Sequence, residues 1–284
     1  MGFFGKNDLE MIQVHSQFGI PSNFFNSSYK TKTYLVFDPN QNFFDKNNLM
    51  NIKKKFDKII LIHGCEPPMI NDISDKIKEN VEYFDVIYTF DESLLATSNK
   101  CKLFCFGSCW VLTNRQGEHI SLRQDYHNLF TLEKKYKLSF VKSKKNELPG
   151  HKLRHNISNQ LQNKSYEILF PEFGQYQDKK TFFQDSMFHI AIENSQVRNY
   201  FSEKIIDCFM SYTIPIYWGC PNIGDYFNTE GIITFENEQE LESILNSLTP
   251  ETYFQKQDAI LDNYRIAHQK FAFFFDRVIE MTKT

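Results

Sequence analysis

Two short apolar runs separated by an amphipathic segment constrain the fold of this chain more than any other feature. Phe188–Ile192 (FHIAI) and Ile214–Trp218 (IPIYW) have the length and residue types of buried strands. Between them, Ser202–Tyr212 carries apolar residues at helical spacing, and Ser202 stands where a helix N-cap is expected. A strand, a helix and a strand in this order predict a parallel β-sheet covered by helices.

The same alternation extends over the rest of the chain. Lys58–His63 (KIILIH) is another continuously apolar run, typical of a strand that is buried on both faces. The other predicted strands are Thr33–Phe37, Asp85–Phe90, Lys102–Phe106, Leu138–Val141, Tyr166–Phe170 and Gly231–Phe235. The other predicted helices are Ser74–Tyr83, His151–Leu161, Lys180–Ser186, Glu238–Ser247 and a long terminal helix from Glu251 to about Met281.

Length and pattern together predict the domain organisation. The 284 residues are enough for two domains, which we place at residues 1–135 and 136–284. Because each half repeats the strand and helix alternation, the predicted fold is α/β, with two Rossmann-like domains facing each other across a cleft. A long C-terminal helix completes this predicted architecture.

Composition narrows the class of function. Hydrophobic residues make up 41% of the chain and charged residues 24%, the balance of a soluble globular protein. The net charge of −3 argues against a nucleic-acid partner, because phosphate contacts need a basic surface. No apolar run reaches the roughly 18 residues of a transmembrane helix, and no secretory signal is visible. We therefore expect a cytoplasmic location; the sequence does not define the oligomeric state.

Three of the six cysteines are regularly spaced, but not as in a metal site. Cys101, Cys105 and Cys109 are four residues apart, which is not the usual spacing of zinc or iron–sulfur ligands. No nearby histidine completes a ligand set. The sequence therefore predicts no metal-binding residues.

Polar and charged residues are concentrated where the strand Phe188–Ile192 leads into the helix at Ser202. They are Glu193, Asn194, Arg198, Tyr200, Glu203 and Lys204. Ligands of parallel sheets bind at the carboxyl ends of strands, and a helix N-terminus attracts anions. Lys204 adds a full positive charge, so an anionic diphosphate is the ligand that this position favours.

Glu203 is the exception in this group, because a carboxylate repels phosphate. It can instead accept hydrogen bonds from ribose hydroxyls, as acidic residues do in dinucleotide-binding folds. The alternative interpretation is structural: Glu203 is a favourable first-turn charge, and Glu193 and Arg198 form a surface ion pair. The glycine-rich motifs GxGxxG and GxxxxGK[ST] are absent. These residues alone leave both interpretations open.

The segment from Phe188 onward, FHIAIENS…NYFSEKIIDCFMSYTIPIYWGCPNIGDYFNTEGIITF, resembles the donor-binding signature of the α1,3/4-fucosyltransferase family. That signature has an apolar strand ending in ENS or ENT, a Y-[VF]-[ST]-E-K motif, an apolar helix and a strand of the form [TV]-[IV]-P-[IV]-x-x-G. The match covers about 50 residues and is specific. Weaker similarity extends to 149-PGHKLRHNISNQL-161 and 60-ILIHGCEPP-68.

The resemblance implies a GT-B glycosyltransferase with an N-terminal acceptor domain and a C-terminal nucleotide-sugar domain. It implies transfer of L-fucose from GDP-fucose to a glycan hydroxyl (α1,3-type), inversion at the sugar carbon, and no cofactor or obligatory metal. Tyr200, Glu203 and Lys204 match positions that hold the nucleotide diphosphate, with Glu203 on ribose and Lys204 on phosphate. Glu193 and Asn194 would lie close to the donor. Without a Golgi-type anchor, a bacterial or viral source is expected.

Inverting transfer also needs a base for the acceptor hydroxyl, and Glu66 is the predicted one. Family members carry an acidic residue in a similar loop, although here the register is shifted by one residue to Gly64-Cys65-Glu66. The alternative is a surface glutamate before two prolines.

The sequence departs from the family pattern at one place. Some relatives place an arginine against the phosphates before the ENS strand, but 171-PEFGQYQDKKTFFQ-184 contains none. Lys179 or Lys180 can substitute, or Arg154 can reach in from its helix, although lysine lacks the bidentate fork of arginine. Two alternatives therefore stay open: another nucleotide sugar, or a catalytically silent nucleotide- or glycan-binding protein.

Overall fold

The computed structural model describes residues 13–14, 33–64, 73–111, 133–142, 144–162, 168–169 and 179–283. The chain divides into two compact units, Met1–Cys105 with Ile279–Thr284 and Phe106–Val278. Each unit contains a sheet of five strands whose described pairings are all parallel. The predicted α/β class is therefore confirmed.

The sheet of the first unit has its strands in sequence order. They are β1 (Gln13–Val14), β2 (Thr33–Phe37), β3 (Lys58–His63), β4 (Val86–Thr89) and β5 (Cys101–Leu103). The helices are α1 (Lys46–Lys55), α2 (Ile73–Glu79) and α3 (Glu92–Leu95), with 3-10 turns at Gln41–Phe44 and Val81–Tyr83. Five of the six β3 residues are buried, as its apolar run predicts. One core packs Ile59 and Leu61 of β3 with Leu49 of α1 and Ile77 of α2.

The sheet of the second unit has the order β10-β9-β8-β6-β7. The strands are β6 (Tyr136–Phe140), β7 (Ile168–Leu169), β8 (Ser186–Ile192), β9 (Ile214–Trp218) and β10 (Ile233–Thr234). The helices are α4 (Pro149–Gln162), α5 (Lys179–Gln184), α6 (Glu203–Met210), α7 (Glu238–Ser247), α8 (Pro250–Phe254) and α9 (Gln257–Lys270), with 3-10 turns at Ile223–Asp225 and Thr229–Gly231. The last helix of the chain is α10 (Phe274–Lys283). Strand β8 is central, so its carboxyl end lies between those of β6 and β9.

The division into units differs from the predicted boundary at 135/136. Residues 106–111 group with the second unit because their backbone is bound there. Cys109 N donates to Ala272 O at 3.2 Å, and the amides of Trp110 and Val111 both donate to Asp207 Oδ1, at 2.6 and 3.0 Å. These contacts join positions 96 to 163 residues apart, which local sequence patterns do not reveal.

The prediction of one long C-terminal helix is wrong, because the region contains three helices. Residues 255–256 separate α8 from α9, and residues 271–273 separate α9 from α10. Phe271, Ala272, Phe273 and Phe274 are all buried. Four consecutive residues cannot all lie on one face of a helix, so the chain breaks its helix to bury them.

No helix of the described residues is both long enough and apolar enough to cross a membrane.

Candidate functional site

Helix α6 begins directly behind the carboxyl end of β8, as the sequence predicts. Ser202 is its N-cap, and the Ser202 side chain accepts from the backbone N–H of Lys204. Ile205, Ile206 and Phe209 form the predicted apolar face and are fully buried. Burial of this face fixes the start of the helix, and therefore the first-turn side chains, against the edge of the sheet.

The carboxylate of Glu193 is the centre of a closed hydrogen-bond network at this edge. Glu193 follows β8 and has no exposed surface. Its Oε1 accepts from Ser202 N at 2.9 Å, and its Oε2 accepts from Ser202 Oγ at 2.6 Å. Lys204 Nζ lies 3.6 Å from Glu193 Oε2 and 3.3 Å from Glu203 Oε1, and it donates to Ser202 Oγ at 2.9 Å. One buried acid thus fixes both the helix cap and the lysine.

Two glycines allow the backbone to pass close to Glu193. A Cβ on Gly219, after β9, would lie 2.5 Å from Glu193 Cγ and from the Tyr217 hydroxyl. A Cβ on Gly150, in the first turn of α4, would lie 1.7 Å from Glu193 O. The N–H of Gly150 donates to Asn194 O at 3.0 Å. The N-termini of α4 and α6 therefore both approach the end of β8, and both contribute partial positive charge.

Burial dominates the electrostatics of Glu193. It raises the pKa of the carboxyl, while Lys204 and the hydrogen bonds from Ser202 act in the opposite direction. The pKa of Tyr217 lies well above its ordinary value, first because of burial and then because of Glu193. The phenol beside Glu193 is therefore protonated at neutral pH.

Arg154 reaches the same edge from α4. Its guanidinium donates to Ile192 O and, at 3.0 Å, to Asn194 Oδ1. Arg154 is 6% exposed and Asn194 is 8% exposed. In this arrangement Arg154 holds the turn after β8, and it adds a positive charge at the same edge of the sheet.

Arg198 does not pair with Glu193, so the predicted surface ion pair is wrong. Its guanidinium lies 4.0 Å from Asp225, and its side chain is 54% exposed. The physical reason is that Glu193 points inward to Ser202 and Lys204. The neighbouring Asn199 has a left-handed backbone (φ 64°) and is held by Asn222 and Tyr226.

The predicted site residues differ in how accessible they are. The side chains of Lys204 and Glu203 are 22% and 12% exposed. Tyr200 is almost completely buried, at 1%. Glu66 lies outside the described residues, and so do the side chains of Lys179 and Lys180. The structure thus brings together Glu193, Asn194, Ser202, Glu203, Lys204 and Arg154.

Sequence reasoning missed several residues that build this edge. Gly150, Gly219 and Tyr217 shape the surroundings of Glu193, and Asp207 binds the 110–111 backbone behind α6. A glycine directly after the strand IPIYW is a signal for a close backbone approach. The role of Asp207 has no local signal, because its partners are remote in sequence.

Comparison with known proteins agrees with this fold. Residues 132–258 match the model described as glycosyltransferase family 10 (fucosyltransferase), C-terminal. An α-(1,3)-fucosyltransferase of Helicobacter pylori is 39% identical over 66 residues, which are 22% of this chain. That match spans only 14% of the relative's own length.

Solved structures share the fold at lower identity. An α1,3-fucosyltransferase crystal structure has a TM-score of 0.51 and 20% identity, covering 88% of this chain and 77% of its own. The Anabaena protein HepE, solved with UDP and glucose, has a TM-score of 0.51 and 12% identity, covering 88% and 92%. The fold is that of the GT-B glycosyltransferases. Residues 132–258 are thus similar to the C-terminal region of glycosyltransferase family 10, the fucosyltransferases.

Proposed function

We propose that this protein is an inverting glycosyltransferase that moves L-fucose from GDP-fucose to a hydroxyl of a glycan acceptor, in an α1,3-type linkage. The observation that carries the proposal is the Lys204 ammonium at the N-terminus of α6, held by Glu193, Ser202 and Glu203. It lies within the region that matches the fucosyltransferase family.

The proposed role of Lys204 is to bind the diphosphate. Its charge, the N-terminal dipoles of α6 and α4, and the nearby Arg154 all favour an anion. These groups are fixed before the donor arrives, so they would stabilise the departing GDP without reorganisation. This is also why we propose that transfer needs no obligatory metal and no cofactor.

Glu203 and Tyr200 would position the nucleoside, with the Glu203 carboxylate accepting from ribose hydroxyls. Glu203 is the more exposed of the two carboxylates near Lys204. Its carboxylate can therefore release Lys204 and accept a hydrogen bond from a ribose hydroxyl instead. Glu193, which is fully buried, would keep its contact and hold Lys204 in place.

Glu66 is the proposed base that deprotonates the acceptor hydroxyl on the face of the sugar opposite to GDP. Glu66→Gln should then abolish transfer while GDP binding persists. If Glu66→Gln transfers fucose at the wild-type rate, another group is the base.

A thermal-shift and hydrolysis screen over GDP-, UDP-, CMP- and dTDP-sugars, with and without EDTA, tests the donor. We expect GDP-fucose to stabilise the protein and to be hydrolysed slowly in both conditions. Stabilisation and turnover by another nucleotide sugar would replace the donor assignment. Binding of GDP without turnover of any donor would favour a silent binding protein.

A pair of lysine variants tests the phosphate contact. Lys204→Ala should weaken GDP binding by about a hundredfold, since a charge-assisted hydrogen bond contributes about 1.5–3 kcal/mol. Lys204→Arg keeps the charge and should lose less. Unchanged GDP affinity in Lys204→Ala, measured by calorimetry, would remove Lys204 from the phosphate site.

A further inference from the structure

A histidine that the proposed mechanism does not use lies at the carboxyl edge of the first sheet. His63 is the last residue of β3, and its side chain is 9% exposed. Its Nδ1 lies 3.1 Å from Asp38 Oδ1, and the same oxygen accepts from Gly64 N at 2.9 Å. Because a carboxylate accepts hydrogen bonds, Nδ1 is the ring nitrogen that donates to Asp38 when the imidazole carries a single proton. Nε2 is then left with a lone pair.

The backbone holds this pair in unusual conformations. Asp38, directly after β2, has φ 39°, and Gly64, directly after β3, has φ 154°. A Cβ on Gly64 would lie 2.8 Å from Phe90 Cδ1. Such positions cost free energy and persist where the surrounding structure fixes them, often at functional sites. The orientation of the His63 ring is therefore fixed by both strand ends.

His63 Nε2 is buried and has no hydrogen-bond partner among the described residues. Buried polar atoms without a partner are rare, because leaving one unpaired costs free energy. Burial acts to raise the pKa of Asp91, after β4, but hydrogen bonds from Ser74 and Ser93 lower it below its ordinary value. The Asp91 carboxylate is already bound by Ser74 Oγ at 2.6 Å and by Ser93 N at 2.9 Å. Among the described residues of this edge, the Asp38 and Asp91 carboxylates have hydrogen-bond partners, whereas His63 Nε2 has none.

We propose that His63 Nε2 binds a hydroxyl group of the acceptor sugar, and that Asp38 is a positioning residue that fixes the tautomer. A lone pair selects an O–H donor, and the carboxylates of Asp38 and Asp91 disfavour an anionic ligand. The ligand chemistry is therefore a neutral, hydroxyl-rich sugar rather than a nucleotide. The inference rests on the proposed transferase function and adds an acceptor-binding residue three positions before Glu66 in the sequence.

Kinetics with N-acetyllactosamine as the acceptor probe test the proposal. His63→Phe keeps a flat ring but removes both nitrogens, and it should raise the KM for the probe about tenfold, with kcat little changed. The GDP dissociation constant should stay within about twofold. His63→Gln, whose amide oxygen can reach the Nε2 position, should recover part of the loss, and His268→Phe in α9 is the matched control. An unchanged KM, or a loss confined to kcat, overturns the proposal.

Nitrogen-15 spectra of the histidine rings separate this proposal from the transferase function. His63→Phe identifies the His63 signals by their absence. We expect a proton on Nδ1, and a shift of the Nε2 signal when N-acetyllactosamine is added, with no shift at His268. A proton on Nε2, or no shift at saturating N-acetyllactosamine, overturns the proposal. This readout does not depend on turnover. If the protein does not transfer fucose from GDP-fucose but the Nε2 signal shifts as expected, only the proposed function is wrong.

Discussion

The carboxyl edges of the two sheets hold their buried polar side chains differently. In the second unit the buried Glu193 carboxylate is surrounded by donors from Ser202 and Lys204. In the first unit His63 is held on one side by Asp38, and its other nitrogen has no partner among the described residues. The first arrangement is closed and holds the Lys204 ammonium, which we propose binds an anionic ligand. The second leaves one buried nitrogen without a partner among the described residues, and we propose that a neutral ligand binds it.

We expect the Glu193 network to be disrupted most by Gly150→Ala, because the added methyl group meets backbone atoms. In Gly150→Ala the new Cβ would lie 1.7 Å from Glu193 O and 3.0 Å from the carbonyl carbon of Asn194. Both neighbours are backbone atoms, so the N-terminus of α4 must move. We expect a loss of about 4 kcal/mol or more in the free energy of unfolding, measured by urea denaturation. Because the network sits at the proposed donor site, GDP binding should disappear as well.

Ser158→Gly, also in α4, is the control for Gly150→Ala. It changes helix propensity without adding an atom and should cost only about 0.5–1 kcal/mol. Near-equal losses in the two variants would show that the contact between α4 and Glu193 is not critical.

Removing the acid tests the same network from its centre. Glu193→Ala leaves the Ser202 donors unsatisfied in a buried place and removes the partner of Lys204. We expect a loss of about 3–5 kcal/mol, the range for breaking a buried ion pair. Glu193→Gln keeps the shape and one acceptor oxygen, so its loss should be smaller. If the alanine variant unfolds at the same urea concentration as the wild type, the network does not stabilise the fold.

At the first sheet the corresponding backbone test is milder. Gly64→Ala places a Cβ 2.8 Å from Phe90 Cδ1 at a φ of 154°, which disfavours any side chain. The aromatic ring can shift, unlike the backbone beside Gly150, so we expect a loss of about 1–3 kcal/mol. The measurement is again urea denaturation, followed by fluorescence and circular dichroism. A stabilised alanine variant would contradict the conformational argument.

The sequence predicted these two edges unequally well. Strands β3 and β9 and helix α7 have the predicted bounds, because continuous apolar runs and a capped amphipathic pattern are strong local signals. Ser202 was recognisable as a cap for the same reason. The burial of Glu193 was not predictable from local pattern, since it depends on Gly150 and Gly219, which approach from other elements. The contact of His63 with Asp38 likewise depends on the pairing of β2 with β3, which brings the two strand ends together.

The smallest predicted effect concerns the buried lysine Lys134, whose ammonium is held by backbone carbonyl groups. Lys134 Nζ donates to Gln184 O at 2.9 Å and to Ser211 O at 2.5 Å. Burial lowers the pKa of its ammonium to about 7, and Asp185 offsets this only in part. Between pH 7 and the unfolded pKa of about 10.4, the unfolded chain binds more protons than the folded chain. The contribution of Lys134 to stability therefore increases with pH, by about 1 kcal/mol between pH 7 and 8.

Lys134→Met isolates this contribution, because methionine fills a similar volume without a titrating group. The difference in free energy of unfolding between wild type and Lys134→Met should change by that amount over the same pH step, in favour of the wild type. Lys135→Met removes a neighbouring, mostly exposed lysine, 3.1 Å from Asp185, and should show little pH dependence. A wild-type advantage that stays constant with pH would mean that the carbonyl groups of Gln184 and Ser211 keep Lys134 fully charged.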